Sequence, residues 1–266
     1  MDLYPIILGI IQGISEWLPI SSKTQILIAS NYLLNISASI GYTFGLFMEI
    51  GTVLSALLYF RNDIYQILRD KKMLYYIIIA IIFTGLVGAP LYIISDKLLE
   101  NAYNISIPMI ILGSILILDG IYIYYTRNKI KIKDKKDLNL RDIIIIGIAQ
   151  GLAALPGVSR SGITVSTMLL MEYDPKFAFS LSYILYIPAA LGAFFLTILA
   201  SKSNITYVTS SIGYYGILTG IIVSFIVGYL TIGILMKLAK SKKIYYIDYI
   251  LGIIAIIISL IGLIYG

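Results

Sequence analysis

Gln12-Gly-Ile-Ser-Glu-Trp-Leu-Pro-Ile-Ser-Ser-Lys-Thr-Gln25 places a Glu, a Lys, a Pro and paired serines inside a hydrophobic N-terminal region. Such residues are expensive in lipid unless protein or water surrounds them, so the stretch predicts a protein-walled site at membrane depth.

The stretch has a second copy. Gly9-Ile-Ile-Gln-Gly-Ile-Ser and Gly147-Ile-Ala-Gln-Gly-Leu-Ala share their glycines and glutamine in register, 138 residues apart. Each then runs through Leu-Pro into a Ser-rich turn, Leu18-Pro-Ile-Ser-Ser-Lys-Thr in one case and Leu155-Pro-Gly-Val-Ser-Arg-Ser-Gly in the other. A one-residue slip at the proline puts Ser21 and Ser159 at the same offset from their glutamines. This is an internal repeat, and it implies two related halves.

Composition bounds the class. Hydrophobic residues make up 59% of the 266 and charged residues 13%, with a mean hydropathy of +0.92. Those values exclude a soluble domain and give an all-α polytopic membrane protein. Met-Asp-Leu-Tyr-Pro has no basic n-region, so no separate signal peptide is expected. There is no Cys, which rules out thiol chemistry, and no His, so proton transfer falls to carboxylates, Lys, Tyr or water. The net charge of +6 sits in loops and reads as membrane sidedness; nucleic acid is not an expected partner.

Eight hydrophobic stretches run roughly over 3–30, 42–60, 74–94, 108–126, 143–171, 177–199, 212–236 and 248–265. Most have the length of about 20 residues that a crossing helix needs. The first and fifth are longer and are broken by Pro19 and by Pro156-Gly157, so each is expected to form two half-helices around a turn. Basic residues cluster in 61–72 (four), 127–141 (seven) and 237–243 (four), while 95–107 and 200–211 carry one Lys each. If the fifth stretch is re-entrant, all three basic loops share the cytoplasmic side, as the positive-inside rule requires.

By the repeat the first stretch is re-entrant too, giving six transmembrane helices and two re-entrant hairpins in an inverted-topology repeat. The expected organisation is one membrane domain over 1–266: repeat one about 1–126, a cytoplasmic linker 127–142, and repeat two about 143–266. Both termini then lie outside, as do the Asn-x-Ser/Thr sequons at Asn35, Asn104 and Asn204, each expected in a loop. Trp17 and the Tyr near stretch ends read as interface anchors and packing, Asp119 as an interfacial or capping residue, and the Lys-rich 129–136 as a solvated linker.

After Pro19, Ser21, Ser22, Lys23 and Thr24 begin a half-helix; after Pro156, Ser159, Arg160, Ser161 and Gly162 begin another. Hydroxyls and a cation at a helix start suit an anion, and Arg160 can fork onto two phosphate oxygens. Facing each other, the two loops would hold a diphosphate. The plainer reading is that the serines cap helices and Arg160 neutralises a buried acid. Glu16 shares a helix face with Gln12, and Glu49 sits mid-span in Phe47-Met-Glu-Ile-Gly51. The two acids suit metal binding or activation of a nucleophile, or they simply pair with Lys23 and Arg160.

These two motifs resemble those of the undecaprenyl-diphosphate phosphatase family, also called the bacitracin-resistance family, over essentially the whole chain. Its first motif is similar to Glu-Gly-x-x-Glu-Phe-Leu-Pro-Val-Ser-Ser-Thr-Gly-His and is met here by Gln12 to Gln25; its second, Pro-Gly-x-Ser-Arg-Ser-Gly, is met in full by Pro156 to Gly162. The resemblance implies a membrane phosphatase that removes the terminal phosphate of a polyprenyl diphosphate and so recycles a lipid carrier for surface glycan assembly. It also implies a site opening to the outer face, a divalent cation (Mg²⁺ or Ca²⁺, with Glu16 and Glu49 as the acids available) and a possible homodimer. Residue by residue it implies Glu16 as the second acid, Ser21 and Ser22 as the hydroxyl pair with Ser22 the nucleophile, and Arg160 with Ser159 and Ser161 as the phosphate loop.

Gln12 stands where the family has its first Glu, Lys23 where it has Thr, Thr24 where it has Gly, and Gln25 where it has His. A transporter or flippase for a phosphorylated lipid or another anion is the alternative that inverted repeats with broken helices support.

Overall fold

Inside a bilayer every backbone amide must find its partner within its own segment or a neighbouring one, and the described residues do so with helices. The computed structural model describes residues 3–33, 37–100, 106–129, 137–200, 202–239, 243 and 245–265. In chain order these form α1 (Tyr4–Ser15), α2 (Ser22–Ile28, prolonged by the π-helical Ala29–Leu33), α3 (Ala38–Tyr59), α4 (Arg61–Arg69), α5 (Lys71–Glu100) and α6 (Ser106–Lys129). Then come α7 (Leu140–Leu152), α8 (Arg160–Leu170), α9 (Pro175–Ala200), α10 (Lys202–Ser211), α11 (Gly213–Ala239) and α12 (Tyr245–Tyr265).

The protein is an integral, polytopic, all-helical membrane protein. Among the described residues five helices are long and apolar enough to cross a bilayer, over Ile40–Tyr59, Lys71–Ser95, Ser106–Thr126, Pro175–Leu199 and Gly213–Lys237. They coincide with five of the six expected spans. The sixth, 248–265, is helix α12, whose apolar stretch Tyr245–Ile261 is shorter than the other five. Large apolar side chains on the outer faces, among them Leu86, Leu118, Leu230 and Ile234, are well exposed and would be a liability in water.

Two expected loops are helical. Residues 61–69 form α4, which buries none of its residues, and Asn204, expected in a loop, falls within α10. Asn35, Asn104 and most of the Lys-rich 129–136 lie outside the described residues.

Small residues set how the helices pack. α1 lies on α11 and α7 on α5, while α6 packs against α12 and α3 against both α9 and α11. A Cβ on Gly13 would come within 2.9 Å of the Gly228 nitrogen, and one on Gly151 within 3.1 Å of the Gly88 nitrogen. Backbones that approach this closely leave no room for a side chain. At the α6–α12 crossing the exclusion is reciprocal: a Cβ on Gly113 meets the Gly252 carbonyl at 2.8 Å, and one on Gly252 meets the Gly113 carbonyl at 2.7 Å.

Gly113→Leu is therefore expected to destabilise the protein by about 1–3 kcal/mol, seen as a lower thermal unfolding midpoint in detergent. A Cβ on Gly85 meets nothing within 4 Å, and Gly85→Leu is expected to leave the midpoint unchanged.

Candidate active site at the two helix breaks

Proline and glycine decide where each broken stretch turns. α1 ends at Glu16, whose amide still donates to the Gln12 carbonyl, and Pro19 prevents the helix from continuing. The chain restarts through Ser21, a non-glycine residue in the left-handed region at φ 52° and ψ 87°. Such backbone costs on the order of 1–3 kcal/mol and persists where surrounding contacts enforce it.

The second break turns at Gly157, φ +98°, where a Cβ would also strike Ile115 and the Leu112 carbonyl. Ser159 then caps α8, its hydroxyl accepting from the Gly162 amide, while its own amide donates to Asp119 Oδ2 at 3.1 Å. Of the two roles expected for Asp119, interfacial or capping, the contact is of the capping kind: from α6 it holds the N-cap residue of α8.

The tips meet. Arg160 Nη2 donates to Glu16 Oε1 at 2.7 Å, an ion pair between residues 144 apart in the chain. Glu16 Oε2 accepts from Ser22 Oγ at 2.7 Å and from Gln12 Nε2 at 3.0 Å. Lys23 Nζ donates to the Ala153 carbonyl at 3.3 Å, and Ser161 Oγ to the Leu18 carbonyl at 3.3 Å. The Arg160 guanidinium rests on the Tyr186 ring at 4.1 Å. Its Nε and Nη1 are buried and have no hydrogen-bond partner among the described residues.

These groups line one end of a cavity of about 410 Å³. Glu16, Ser21, Ser22, Lys23, Glu49, Ser159, Arg160 and Ser161 all face it, so eight of the expected site residues converge. Glu49 reaches it from α3 and feels the charges of Lys23, Glu16 and Arg160. The rest of the cavity is mostly apolar, with Thr84, Tyr92 and Gln150 as its polar exceptions, and runs between Gly85, Gly88 and Ala89 of α5 and Ala189, Gly192 and Ala193 of α9. It ends at Phe195 and Leu199, which are 60% and 75% exposed.

Four expected residues do not line the cavity. Gln12 stands behind Glu16 and holds its carboxylate. Thr24 is fully buried and bonds Ser21. Gln25 turns back to the Ile20 carbonyl and braces the first break. Gly162 spends its amide on the Ser159 cap, and a Cβ there would point at Asp119 and Ile123.

Trp17 is no interface anchor. It is wholly buried, packed against Tyr183 and Tyr186, and its carbonyl accepts the Tyr183 hydroxyl at 2.6 Å.

Tyr186 and Gln150 are among the lining residues that the sequence did not assign to the site. Tyr186 supports Arg160 and pairs its hydroxyl with Thr52 Oγ1 at 2.6 Å. Gln150 donates to Thr84, and its buried Oε1 has no partner among the described residues. The repeat pointed to Gln150 through its match to Gln12; Tyr186 is one of 23 tyrosines, and nothing in the sequence singled it out.

The residues present do not fit a divalent cation. Glu16 already serves Arg160, Ser22 and Gln12 with its two oxygens. A carboxylate only accepts, so Gln12 must turn its NH₂ group, not its carbonyl, toward the site. Among the described residues no group of three or more His, Cys, Asp or Glu gathers closely enough to hold a metal.

The sequence profile described as Bacitracin resistance protein BacA matches residues 5–257. A relative from Sulfurisphaera tokodaii, named undecaprenyl-diphosphatase, is 62% identical over 256 residues, 96% of each chain. One of the same name from Saccharolobus islandicus is 56% identical over 262 residues, 98% of each chain. A third, from Pyrobaculum aerophilum, is 40% identical over 266 residues, 97% of each chain. With matches along nearly its whole length and a site built from both repeat motifs, the chain belongs to the bacitracin resistance protein BacA family.

Proposed function

We propose that this protein hydrolyses a polyprenyl diphosphate of the undecaprenyl class to its monophosphate, returning a lipid carrier to surface glycan synthesis. The observation that carries the reading is the hydrogen bond from Ser22 Oγ to Glu16 Oε2, 2.7 Å long, beside an arginine two of whose buried nitrogens have no hydrogen-bond partner among the described residues. A hydroxyl held on a carboxylate is a nucleophile with its base in place.

In the reaction Ser22 Oγ attacks the terminal phosphorus and its proton passes to Glu16. The bond from that phosphorus to the bridging oxygen breaks, and the polyprenyl monophosphate leaves. Water then cleaves the phosphoserine to inorganic phosphate, returning the proton to Ser22. Arg160 and Lys23 neutralise charge on the transferring group, the main contribution a protein makes to phosphoryl transfer. A binding-only role as a transporter would leave the Ser22–Glu16 contact without a purpose.

The two apolar cavity walls supply the lipid's route. Glycine and alanine on α5 and α9 leave a slot that ends at exposed Phe195 and Leu199, suited to an isoprenoid chain entering sideways from the bilayer. Purified protein is expected to release phosphate from C15 and C55 diphosphates; release from neither overturns the reading. A Cβ on Gly192 meets open space, so Gly192→Leu is expected to fold and to narrow the slot. Its kcat/KM for the C55 substrate is expected to fall roughly tenfold or more, with the C15 substrate affected less.

The proposed topology is two inverted repeats, six spans and two re-entrant hairpins. α1, α2, α7 and α8 have 12, 7, 13 and 11 residues, under about 20 Å each at 1.5 Å per residue against a hydrocarbon core of about 30 Å. The packing pairs support the repeat: α1 on α11 mirrors α7 on α5, and α6 meets its counterpart α12. Positive-inside charge then puts the basic segments in the cytoplasm, with both termini and the site opening outside.

A further inference from the structure

We infer that in this protein the Lys23 ammonium takes the place of a divalent cation, so that the site binds and turns over its diphosphate without a metal. The inference rests on the phosphatase reading above and adds to it what neutralises the substrate.

Among the described residues four charged side chains face the cavity: Glu16, Glu49, Lys23 and Arg160. Two acids against two cations leave the empty site with no net formal charge, a condition that burial favours. A diphosphate then brings two or more negative charges, and the donors that receive it must already be present. Arg160 offers Nε and Nη1, both without a partner among the described residues. Lys23 spends one of its three N–H bonds on the Ala153 carbonyl. Among the described residues it makes no ion pair with a carboxylate, whereas Arg160 does. The Ala153 contact ties the first tip to the second break and so holds the ammonium over the cavity.

Gln12 acts in the same direction. Its NH₂ group donates to Glu16 Oε2, so the position that would offer a metal an anionic oxygen instead offers a donor to the base. Against the family motif, Gln12 for Glu removes one negative charge and Lys23 for Thr adds one positive charge. The combined change is two positive charges, the charge of a single divalent cation. The same two substitutions remove a metal ligand and supply a fixed counter-charge, which makes them one compensated exchange.

The test compares wild type, Lys23→Thr, Lys23→Arg and the double variant Gln12→Glu/Lys23→Thr, each in EDTA and in millimolar Mg²⁺ or Ca²⁺. Phosphate release from farnesyl and C55 diphosphates gives the rate, and the shift of the thermal midpoint on adding farnesyl diphosphate in EDTA gives binding independently of turnover. Wild type is expected to keep its rate in EDTA. Lys23→Thr is expected to lose roughly 10- to 100-fold in kcat/KM, the worth of one charge-assisted contact, and Lys23→Arg to retain most of it. The double variant is expected to be active only with the divalent cation.

Unliganded midpoints show whether each variant is folded, and Lys23→Arg supplies the comparison should Lys23→Thr unfold. Loss of wild-type release in EDTA with recovery on Mg²⁺ or Ca²⁺ overturns the inference. If wild type releases no phosphate under any condition, the phosphatase reading has failed. The midpoint shift then decides for Lys23: stabilisation by farnesyl diphosphate in EDTA that Lys23→Thr abolishes upholds the ammonium's role, and its absence overturns it. Inorganic pyrophosphate as a second probe shows whether the headgroup suffices or the chain is needed.

Discussion

Ser22→Ala is expected to lower kcat for polyprenyl diphosphate hydrolysis by roughly 10³- to 10⁶-fold, the range that removal of a nucleophile spans. KM is expected to stay within about threefold, since Lys23 and Arg160, the proposed hydrogen-bond donors to the phosphates, are untouched. The split follows from the geometry. Ser22 Oγ has Glu16 Oε2 as its partner at 2.7 Å, and its loss leaves that oxygen with the Gln12 donor, so the carboxylate is not stranded and the fold is expected to hold. Rapid-quench measurement with labelled terminal phosphate adds a second readout: wild type is expected to accumulate label on protein, and Ser22→Ala to show none. A kcat within about tenfold of wild type would mean that water attacks directly and Ser22 only positions it.

Arg160→Ala is expected to abolish measurable phosphate release and also to destabilise the protein, and the second effect has its own cause. Arg160 pairs with Glu16 at 2.7 Å, and Glu16 is buried. Removing one partner of a buried ion pair leaves the other uncompensated, at about 3–5 kcal/mol. The guanidinium also lies on the Tyr186 ring, adding about 0.5–2 kcal/mol that alanine forfeits. Arg160→Lys separates the two roles. It restores a cation for Glu16 and is expected to recover most of the lost midpoint, but an ammonium cannot hold Glu16 and fork onto phosphate with the same planar geometry. Its kcat/KM is expected to remain roughly 10- to 100-fold down. Full activity in Arg160→Lys would mean that the forked contact is not used.

Much of this architecture was legible because a bilayer penalises polar groups so heavily. Pro19 and Pro156-Gly157 marked both breaks, and the structure turns the chain at each. The paired Gly9/Gly13 and Gly147/Gly151 were visible as repeat signatures, and they are the close backbone contacts of α1 on α11 and α7 on α5. Glu16, Ser22, Lys23, Glu49 and Arg160 were legible because a charged or hydroxyl group at that depth has few places to go except a shared cavity. Trp17 shows the limit. An aromatic ring suits an interface and a core equally, and only the packing of Tyr183 and Tyr186 around it decides for the core.

From its sequence this protein was bound to be a polytopic helical bundle with two broken hydrophobic stretches, each carrying hydroxyls and a cation. Hydrophobicity, proline and charge act locally, and their cost in lipid does not depend on which neighbour is met. Only the tertiary structure decided that Glu16 would divide its two oxygens between Arg160 and the Ser22–Gln12 pair, that Tyr186 would carry the guanidinium, and that Lys23 would be fastened to Ala153. Two of those contacts, Arg160 to Glu16 and Lys23 to Ala153, join residues more than 100 positions apart. Their partners are chosen by how whole helices seat against one another, a matter of shape and hydrogen-bond direction that no local pattern contains.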